Sequence, residues 1–118
     1  MFDRVGGEPW FEALVERFYA LVEADPVLRP LYPADLAPGK ENLAAFLSQY
    51  WGGPPRYESI RGHPRLRQRH FPFAIGSAER DAWLTDMTAA VRSGGISSED
   101  EAEILAYFQM AAHSLTNR

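Results

Sequence analysis

The chain has 118 residues, 46% hydrophobic and 13% aromatic, with a net charge of −4 at pH 7. This acidic balance argues against a nucleic-acid partner held by bulk positive charge. The absence of cysteine excludes disulfides, thiolate catalysis and cysteine-ligated metal sites. No run approaches the roughly 18 apolar residues of a membrane span, and the N-terminus lacks a signal-peptide pattern. We therefore expect one cytoplasmic domain over residues 1–118.

A first long helix is predicted after the Gly6-Gly7 pair, with Pro9 as its first residue. Its buried face is predicted by apolar residues that recur at helical spacing: Phe11, Leu14, Val15, Phe18 and Val22. Asp25 is expected to cap the turn that follows this helix. Further prolines predict an irregular bend over residues 31–37, with Tyr32 at its centre.

A second amphipathic helix is predicted from about Pro38 or Gly39 to Trp51. One apolar face follows the helical repeat: Leu43, Phe46, Leu47 and Tyr50. A Gly-Gly-Pro-Pro run over residues 52–55 ends the helix. Residues 52–62 show no periodicity, and loops of that length inside a domain are often functional.

Two further long helices are predicted in the C-terminal part of the chain. Ser77 is expected to cap the third, and Ser98 with Glu101 predicts a capping box for the last. The inward face of the third is predicted to hold Trp83, Leu84, Met87 and Val91. That of the last is predicted to hold Leu105, Phe108, Ala112 and Leu115, flanked by Ile104 and Ala111. No strand pattern occurs, so the sequence predicts an all-α protein with four substantial helices.

The stretch Arg61–Phe73 holds two of the three histidines and four arginines. Its Pro64–Phe71 part can form about two helical turns before Pro72 ends them, which places His70 on the last turn. The arginine cluster requires an anion, and His70 requires a proton or a metal. A porphyrin uses one imidazole, an apolar slot and cations for its two propionates, and this chain offers all three.

Several short segments occur together, in order, over nearly the whole chain. They are Gly6-Gly7, Arg17-Phe18-Tyr19, Leu31-Tyr32-Pro33, the run Phe46–Pro54, Gly62-His63-Pro64, Leu66-Arg67, Arg69-His70, Pro72-Phe73, the run Glu79–Leu84 and the run Ala111–Leu115. In this combination the chain resembles the truncated haemoglobins of the second group. The resemblance implies a two-over-two helical sandwich around haem b (iron protoporphyrin IX).

The same resemblance implies roles for individual residues. His70 would be the proximal ligand of the haem iron, and Tyr19, Tyr32 and Trp83 would donate hydrogen bonds to a bound ligand on the distal side. Gly39 occupies a distal position where globins often carry a gating histidine. The remaining haem contacts that it implies are Arg69, Arg67, Tyr57, Leu43, Phe46, Phe71 and Met87. Without the resemblance, Tyr19 and Trp83 would be read as ordinary core aromatics.

The expected function is binding of O₂ and other diatomic ligands such as CO and NO. Each distal donor is worth about 1–3 kcal/mol, so two or three would slow O₂ release by orders of magnitude. Such tight binding favours redox chemistry on O₂, NO or peroxide, supported by an unidentified reductase, over oxygen transport. Two alternatives stay open: a peroxidase-like or NO-detoxifying enzyme, and a haem-independent interaction module. The sequence is compatible with a monomer or a homodimer.

Overall fold

The computed structural model describes residues 1–54, 57 and 75–116. The helices are α1 (Phe2–Val5), α2 (Glu8–Ala24), α3 (Ala37–Tyr50), α4 (Ser77–Arg92) and α5 (Ser98–Leu115), with a 3-10 turn at Arg29–Leu31. Within these ranges the chain forms helices and no strand, so the predicted all-α class is confirmed. None of these helices is long and apolar enough to cross a membrane. The predicted cationic helix, with His63 and His70, lies outside the described residues.

The segment before α2 forms a short helix, α1, that the sequence did not predict. Its Phe2 ring stacks on Phe11 of α2, and Phe11 stacks in turn on Trp51 at the end of α3, each pair with ring centroids 6.0 Å apart. α2 then begins at Glu8, so Pro9 is its second residue rather than its first. Proline is tolerated there because the first N–H groups of a helix have no partner within it.

The predicted apolar face of α2 forms the centre of the core. Its five members are all buried: Phe11, Leu14, Val15, Phe18 and Val22. α2 packs against both α3 and α4, and α4 packs against α5. Complete burial of each large apolar side chain contributes about 1.5–3 kcal/mol, so this face holds the helices together.

Two polar side chains of α2 bind the C-terminal end of α4. The Trp10 indole Nε1–H donates to the Gly94 carbonyl oxygen over 2.9 Å, and Arg17 Nε donates to the Ala90 carbonyl oxygen over 3.0 Å. The last four carbonyl oxygens of a helix accept no hydrogen bond from within the helix, so they need donors from elsewhere. These bonds therefore fix where α4 ends relative to α2.

Both C-terminal helices use caps that differ from the predicted ones. α4 is capped at Gly76, whose N–H donates to Glu79 Oε1 over 2.7 Å, and Ser77 is its first helical residue. α5 is capped by Ser97, whose hydroxyl accepts from the Asp100 N–H over 3.2 Å, so the predicted capping box of Ser98 is wrong.

The buried face of α5 begins at Ile104, which was predicted to flank the inward face, and not at Leu105. Ile104, Phe108 and Ala112 are buried at intervals of four residues, whereas Leu105 is only partly buried. At the beginning of the helix, Asp100 accepts a 2.9 Å hydrogen bond from Arg4 Nη2. This ion pair joins α1 to the first turn of α5.

The cap of α5 can be tested with two neighbouring serines. We expect Ser97→Ala to lower the free energy of unfolding by about 1 kcal/mol, because the Asp100 N–H loses its acceptor. Ser98→Ala is the matched control and should change the stability little, since Ser98 is exposed and already helical. Urea unfolding of both variants measures the difference, and an equal or larger loss for Ser98→Ala would contradict the assignment.

Candidate functional site

A cavity of about 520 Å³ is lined by all four long helices and by the bend after α2. Most of its wall is apolar, from Leu28, Leu31, Leu43, Phe46, Leu47, Ile75, Phe108, Ala111, Ala112 and Leu115. The wall also includes residues with polar side chains: Tyr19, Tyr32, Glu79, Arg80, Trp83 and Tyr107. Volumes of about 300–1,000 Å³ with a largely apolar wall and a few polar groups are typical of ligand and cofactor sites.

Two of the polar groups are tyrosine hydroxyls from different elements. Tyr19 extends from α2 and Tyr32 from the bend, and their rings meet edge to face with centroids 5.6 Å apart. Burial raises the pKa of Tyr19 to about 12. Burial also raises the pKa of Tyr32, and the neighbouring Tyr19 raises it further. Both phenols are therefore protonated at neutral pH and can donate hydrogen bonds into the cavity.

Trp83 brings a third donor to the same cavity from α4. Its ring packs edge-on against Phe18 and Phe108, with centroids 5.4 Å apart in each pair. The Trp83 indole N–H interacts with the Tyr32 hydroxyl and lowers the pKa of Tyr32, which opposes the effect of burial. The three residues predicted to donate on the distal side thus line one cavity, although they come from three separate elements.

Gly39, near the start of α3, also lines the cavity and leaves room for the Tyr19 hydroxyl. A Cβ atom on residue 39 would lie only 2.7 Å from the hydroxyl oxygen of Tyr19, well inside ordinary contact distance. The Tyr19 hydroxyl therefore occupies the place where a side chain of residue 39 would begin. Leu43 and Phe46 follow on the same face of α3 and line the cavity beyond it.

Two residues predicted to contact the cofactor are not among those that line this cavity, and their contact with a cofactor stays a prediction. Met87 is completely buried in the core and does not line the cavity. Tyr57 is buried with its ring centroid 5.4 Å from that of Phe46, and it is also absent from the cavity wall. His70, Arg69, Arg67 and Phe71 lie outside the described residues, and their roles stay predictions.

Three cavity residues were not singled out as site residues from the sequence: Glu79, Arg80 and Tyr107. Arg80 lies three residues before Trp83 and so on the same face of α4, a spacing that would have identified it. Its Nε donates a hydrogen bond to Asp81 Oδ1 over 3.2 Å, and Arg80 is part of the cavity wall. Tyr107 directly precedes the buried Phe108, and nothing in the sequence distinguishes it from an ordinary surface tyrosine.

The carboxyl group of Asp86, on α4, interacts electrostatically with Tyr32. Burial raises the pKa of Asp86 to about 6, and the neighbouring carboxyl group of Asp25 adds to this effect. The Asp86 charge in turn raises the pKa of Tyr32. Asp86 follows Trp83 by three residues on α4, so its place beside the site also follows from helical spacing. Among the residues that the structure describes, Asp86 is the acidic residue that raises the pKa of a distal donor, Tyr32.

The chain matches the bacterial-like globin family over residues 1–117. It is 38% identical over 112 residues to a group 2 truncated haemoglobin of Bacillus subtilis, which covers 95% of this chain and 85% of that protein. The chain belongs to the group II truncated haemoglobins.

Solved structures agree with this assignment. A haemoglobin of Chloroflexus aurantiacus has a TM-score of 0.97 and 52% identity, covering 99% of this chain and 97% of its own. The group II truncated haemoglobin of Bacillus anthracis has a TM-score of 0.95 and 36% identity, covering 98% and 94%. The expected truncated globin fold is therefore confirmed.

Membership of this family implies haem-based binding of diatomic ligands. The described part of the site fits a haem group on its own chemistry. The cavity has an apolar wall for the macrocycle, protonated phenols for a small ligand, and the Arg80 cation for a carboxylate. No cluster of three or more acidic, histidine or cysteine side chains capable of holding a bare metal ion occurs among the described residues.

The close approach of Tyr19 and Gly39 predicts a change of sign between two backgrounds. In a Tyr19→Phe protein, Gly39→Ala should stabilise the fold by about 1 kcal/mol, because alanine favours a helix and the ring carbons are at ordinary contact distance. In the presence of the hydroxyl, the same change should destabilise by up to about 2 kcal/mol through overpacking. Thermal or urea unfolding of the four proteins measures both effects, and equal effects in the two backgrounds would contradict the packing.

The raised pKa of Asp86 predicts a pH-dependent contribution to stability. The folded protein binds this proton more tightly than the unfolded chain, so the contribution is fully present below the unfolded pKa of about 4 and is lost as the pH rises through about 6. We expect the stability of Asp86→Asn relative to the parent to increase between pH 4 and pH 7, because only the parent loses this contribution as the pH rises. Urea unfolding at several pH values tests this, and a stability difference that stays constant with pH would refute it.

Proposed function

We propose that the cavity holds haem b, with His70 as the proximal iron ligand and with O₂ or another diatomic ligand on the side of Tyr19, Tyr32 and Trp83. The observation that carries this proposal is the convergence of these three donors on one apolar cavity of about 520 Å³. The position of His70 comes from the family resemblance. The haem-independent interaction module is not favoured, because the family is defined by haem-based ligand binding.

The chain's own residues supply the environment of the cofactor. Haem, when bound, supplies an iron that coordinates a diatomic ligand. Leu43 and Phe46 of α3 and Phe108 of α5 would contact the faces of the macrocycle through apolar surface. Arg80 would pair with a propionate, together with Arg67 and Arg69 from the resemblance. The Arg80 guanidinium suits this role because it forms charge-assisted hydrogen bonds with carboxylates.

The three donors would determine how long a ligand stays in the cavity. Tyr19 and Tyr32 keep their protons at neutral pH because burial raises the pKa of each phenol. Hydrogen bonds to a charged acceptor in a site of low dielectric are each worth about 1.5–3 kcal/mol. Loss of one donor would therefore accelerate ligand release about tenfold to a hundredfold.

The strength with which the three donors would hold a bound ligand indicates what the protein does with that ligand. A carrier must release its ligand, so several strong donors favour chemistry on the bound ligand over oxygen transport. We propose redox chemistry on O₂, NO or peroxide, with a reductase or a small reductant as electron source. The Tyr19, Tyr32 and Trp83 donors would stabilise negative charge that develops on the outer atom of the ligand.

The decisive experiment is the rate of O₂ dissociation from the reduced protein, measured by stopped flow. We expect Trp83→Phe to increase this rate about tenfold or more, since one donor to the ligand is removed. Trp10→Phe is the matched control: it removes an indole N–H that donates to Gly94, outside the cavity. Its rate should equal that of the parent.

The dissociation rates can be compared only between variants that retain haem, and the visible absorption spectrum measures the haem content of each variant. An unchanged dissociation rate in haem-loaded Trp83→Phe would contradict the role of Trp83. Equal acceleration in Trp10→Phe would show that any indole replacement acts through general destabilisation.

A further inference from the structure

Three oxidisable rings lie in contact between the cavity and the protein surface: Tyr107 of α5, and Tyr50 and Trp51 at the end of α3. The ring centroids of Tyr50 and Tyr107 are 4.2 Å apart. Trp51 lies 4.9 Å from Tyr50 and 5.1 Å from Tyr107. All three pairs are within the usual range of aromatic contact, so the rings form one continuous group.

The two ends of this group differ in their surroundings. Tyr107 lines the cavity, and burial together with Tyr50 raises the pKa of its phenol to about 12. Tyr50 has half of its surface exposed, at 50%, and it is the one exposed ring among the described tyrosines and tryptophans. The contact between Tyr107 and Tyr50 therefore connects the interior of the site to solvent, and Trp51 touches both rings.

We propose that Tyr107, Trp51 and Tyr50 form an electron relay, which carries single electrons from donors at the surface to hydrogen peroxide undergoing reduction in the cavity. This inference rests on the proposed function, because it requires the cofactor to be present. It assigns a surface site for small one-electron donors, such as phenols, at the exposed face of Tyr50. The donor would bind there by stacking on the ring.

The electron balance of the step is simple. Reduction of one hydrogen peroxide to two waters takes two electrons and two protons. Each electron leaves Tyr107 together with its phenolic proton, and Tyr107 becomes a neutral phenoxyl radical. Tyr50 then gives an electron and a proton, which restores Tyr107; the electron crosses the direct contact of the two rings or passes through the Trp51 ring, which touches both. A donor phenol at the surface restores Tyr50 with its own electron and proton. Two donor phenols are thus oxidised to two phenoxyl radicals for each peroxide reduced.

Phenylalanine rings do not offer a competing route. Phe46 lies 6.2 Å from Tyr50, and Phe108 lies 6.0 Å from Trp51, but a benzene ring is much harder to oxidise than a phenol or an indole. Trp51 does not line the cavity, so Tyr107 is the member of the relay that delivers electrons to the cavity. Replacement of Tyr107 should therefore isolate Tyr50 from the site.

The test treats the haem-loaded protein with hydrogen peroxide and a nitroso spin trap, with no donor present. Peptide mass spectrometry then locates covalent adducts, and gel electrophoresis detects dityrosine-linked dimers. We expect adducts on Tyr50 and linked dimers in the parent. In Tyr107→Phe, adducts on Tyr50 should fall to the level of peroxide-treated apoprotein. Tyr50→Phe should abolish the dimers, and Tyr50→Trp should restore an adduct at residue 50.

A control places a tyrosine at a comparable surface position that has no contact with the relay. Leu21 on α2 is 37% exposed and does not line the cavity. In the double variant Tyr50→Phe with Leu21→Tyr, the number of tyrosines is unchanged, and no adduct should form at residue 21.

The visible spectrum of every sample separates two kinds of failure. A parent that binds no haem would overturn the proposed function and the relay together. A haem-loaded parent without adducts on Tyr50 would overturn the relay alone. Adducts on Tyr50 that persist in haem-loaded Tyr107→Phe, or that form equally in apoprotein, would also overturn it.

Discussion

The contact between the Tyr19 hydroxyl and Gly39 determines how the site is built. Residue 39 of α3 has no side chain, and the phenol of Tyr19 on α2 occupies the space that a Cβ atom would need. Any larger residue would move either the helix or the ring. The ring of Tyr19 in turn supports Tyr32 edge to face, which brings the second hydroxyl to the same wall of the cavity.

The chemistry of the distal side follows from this packing. Because the phenols are buried among aromatic rings, their neutral forms are strongly favoured and they remain donors over the whole physiological pH range. The Asp86 carboxyl group, raised in pKa by its own burial and by Asp25, adds a nearby charge that holds the Tyr32 proton still more firmly. A residue outside the cavity thereby influences a donor inside it.

Much of this arrangement could be predicted from the sequence. The apolar period placed the long helices correctly, because burial of one face of each helix decides the fold. The caps were harder, since Ser97 and Ser98 each have an acidic residue three positions later. Local pattern cannot separate them, and the choice of Ser97 accompanies the ion pair of Asp100 with the distant Arg4.

The site residues likewise include some that the sequence predicted and some that it did not. Tyr19, Tyr32 and Trp83 were predicted from the family resemblance, and they do line one cavity. Met87 follows Trp83 by four residues, so helical spacing places both on one face, but Met87 is completely buried in the core and does not line the cavity. Tyr107 was missed because what distinguishes it, its place in the cavity wall and its contact with Tyr50, depends on other helices. Contacts between elements distant in sequence cannot be derived from the spacing within either one.

The central claim is that the cavity holds haem through His70 with a free position for a diatomic ligand. The visible absorption spectrum of the purified protein, as ferric, dithionite-reduced and CO-treated samples, tests it most directly. The account predicts a Soret band that shifts on reduction and sharpens with CO, and that is lost from His70→Gly until imidazole is added. A parent protein with no Soret band after addition of haem would contradict it, and so would a His70→Gly spectrum identical to that of the parent.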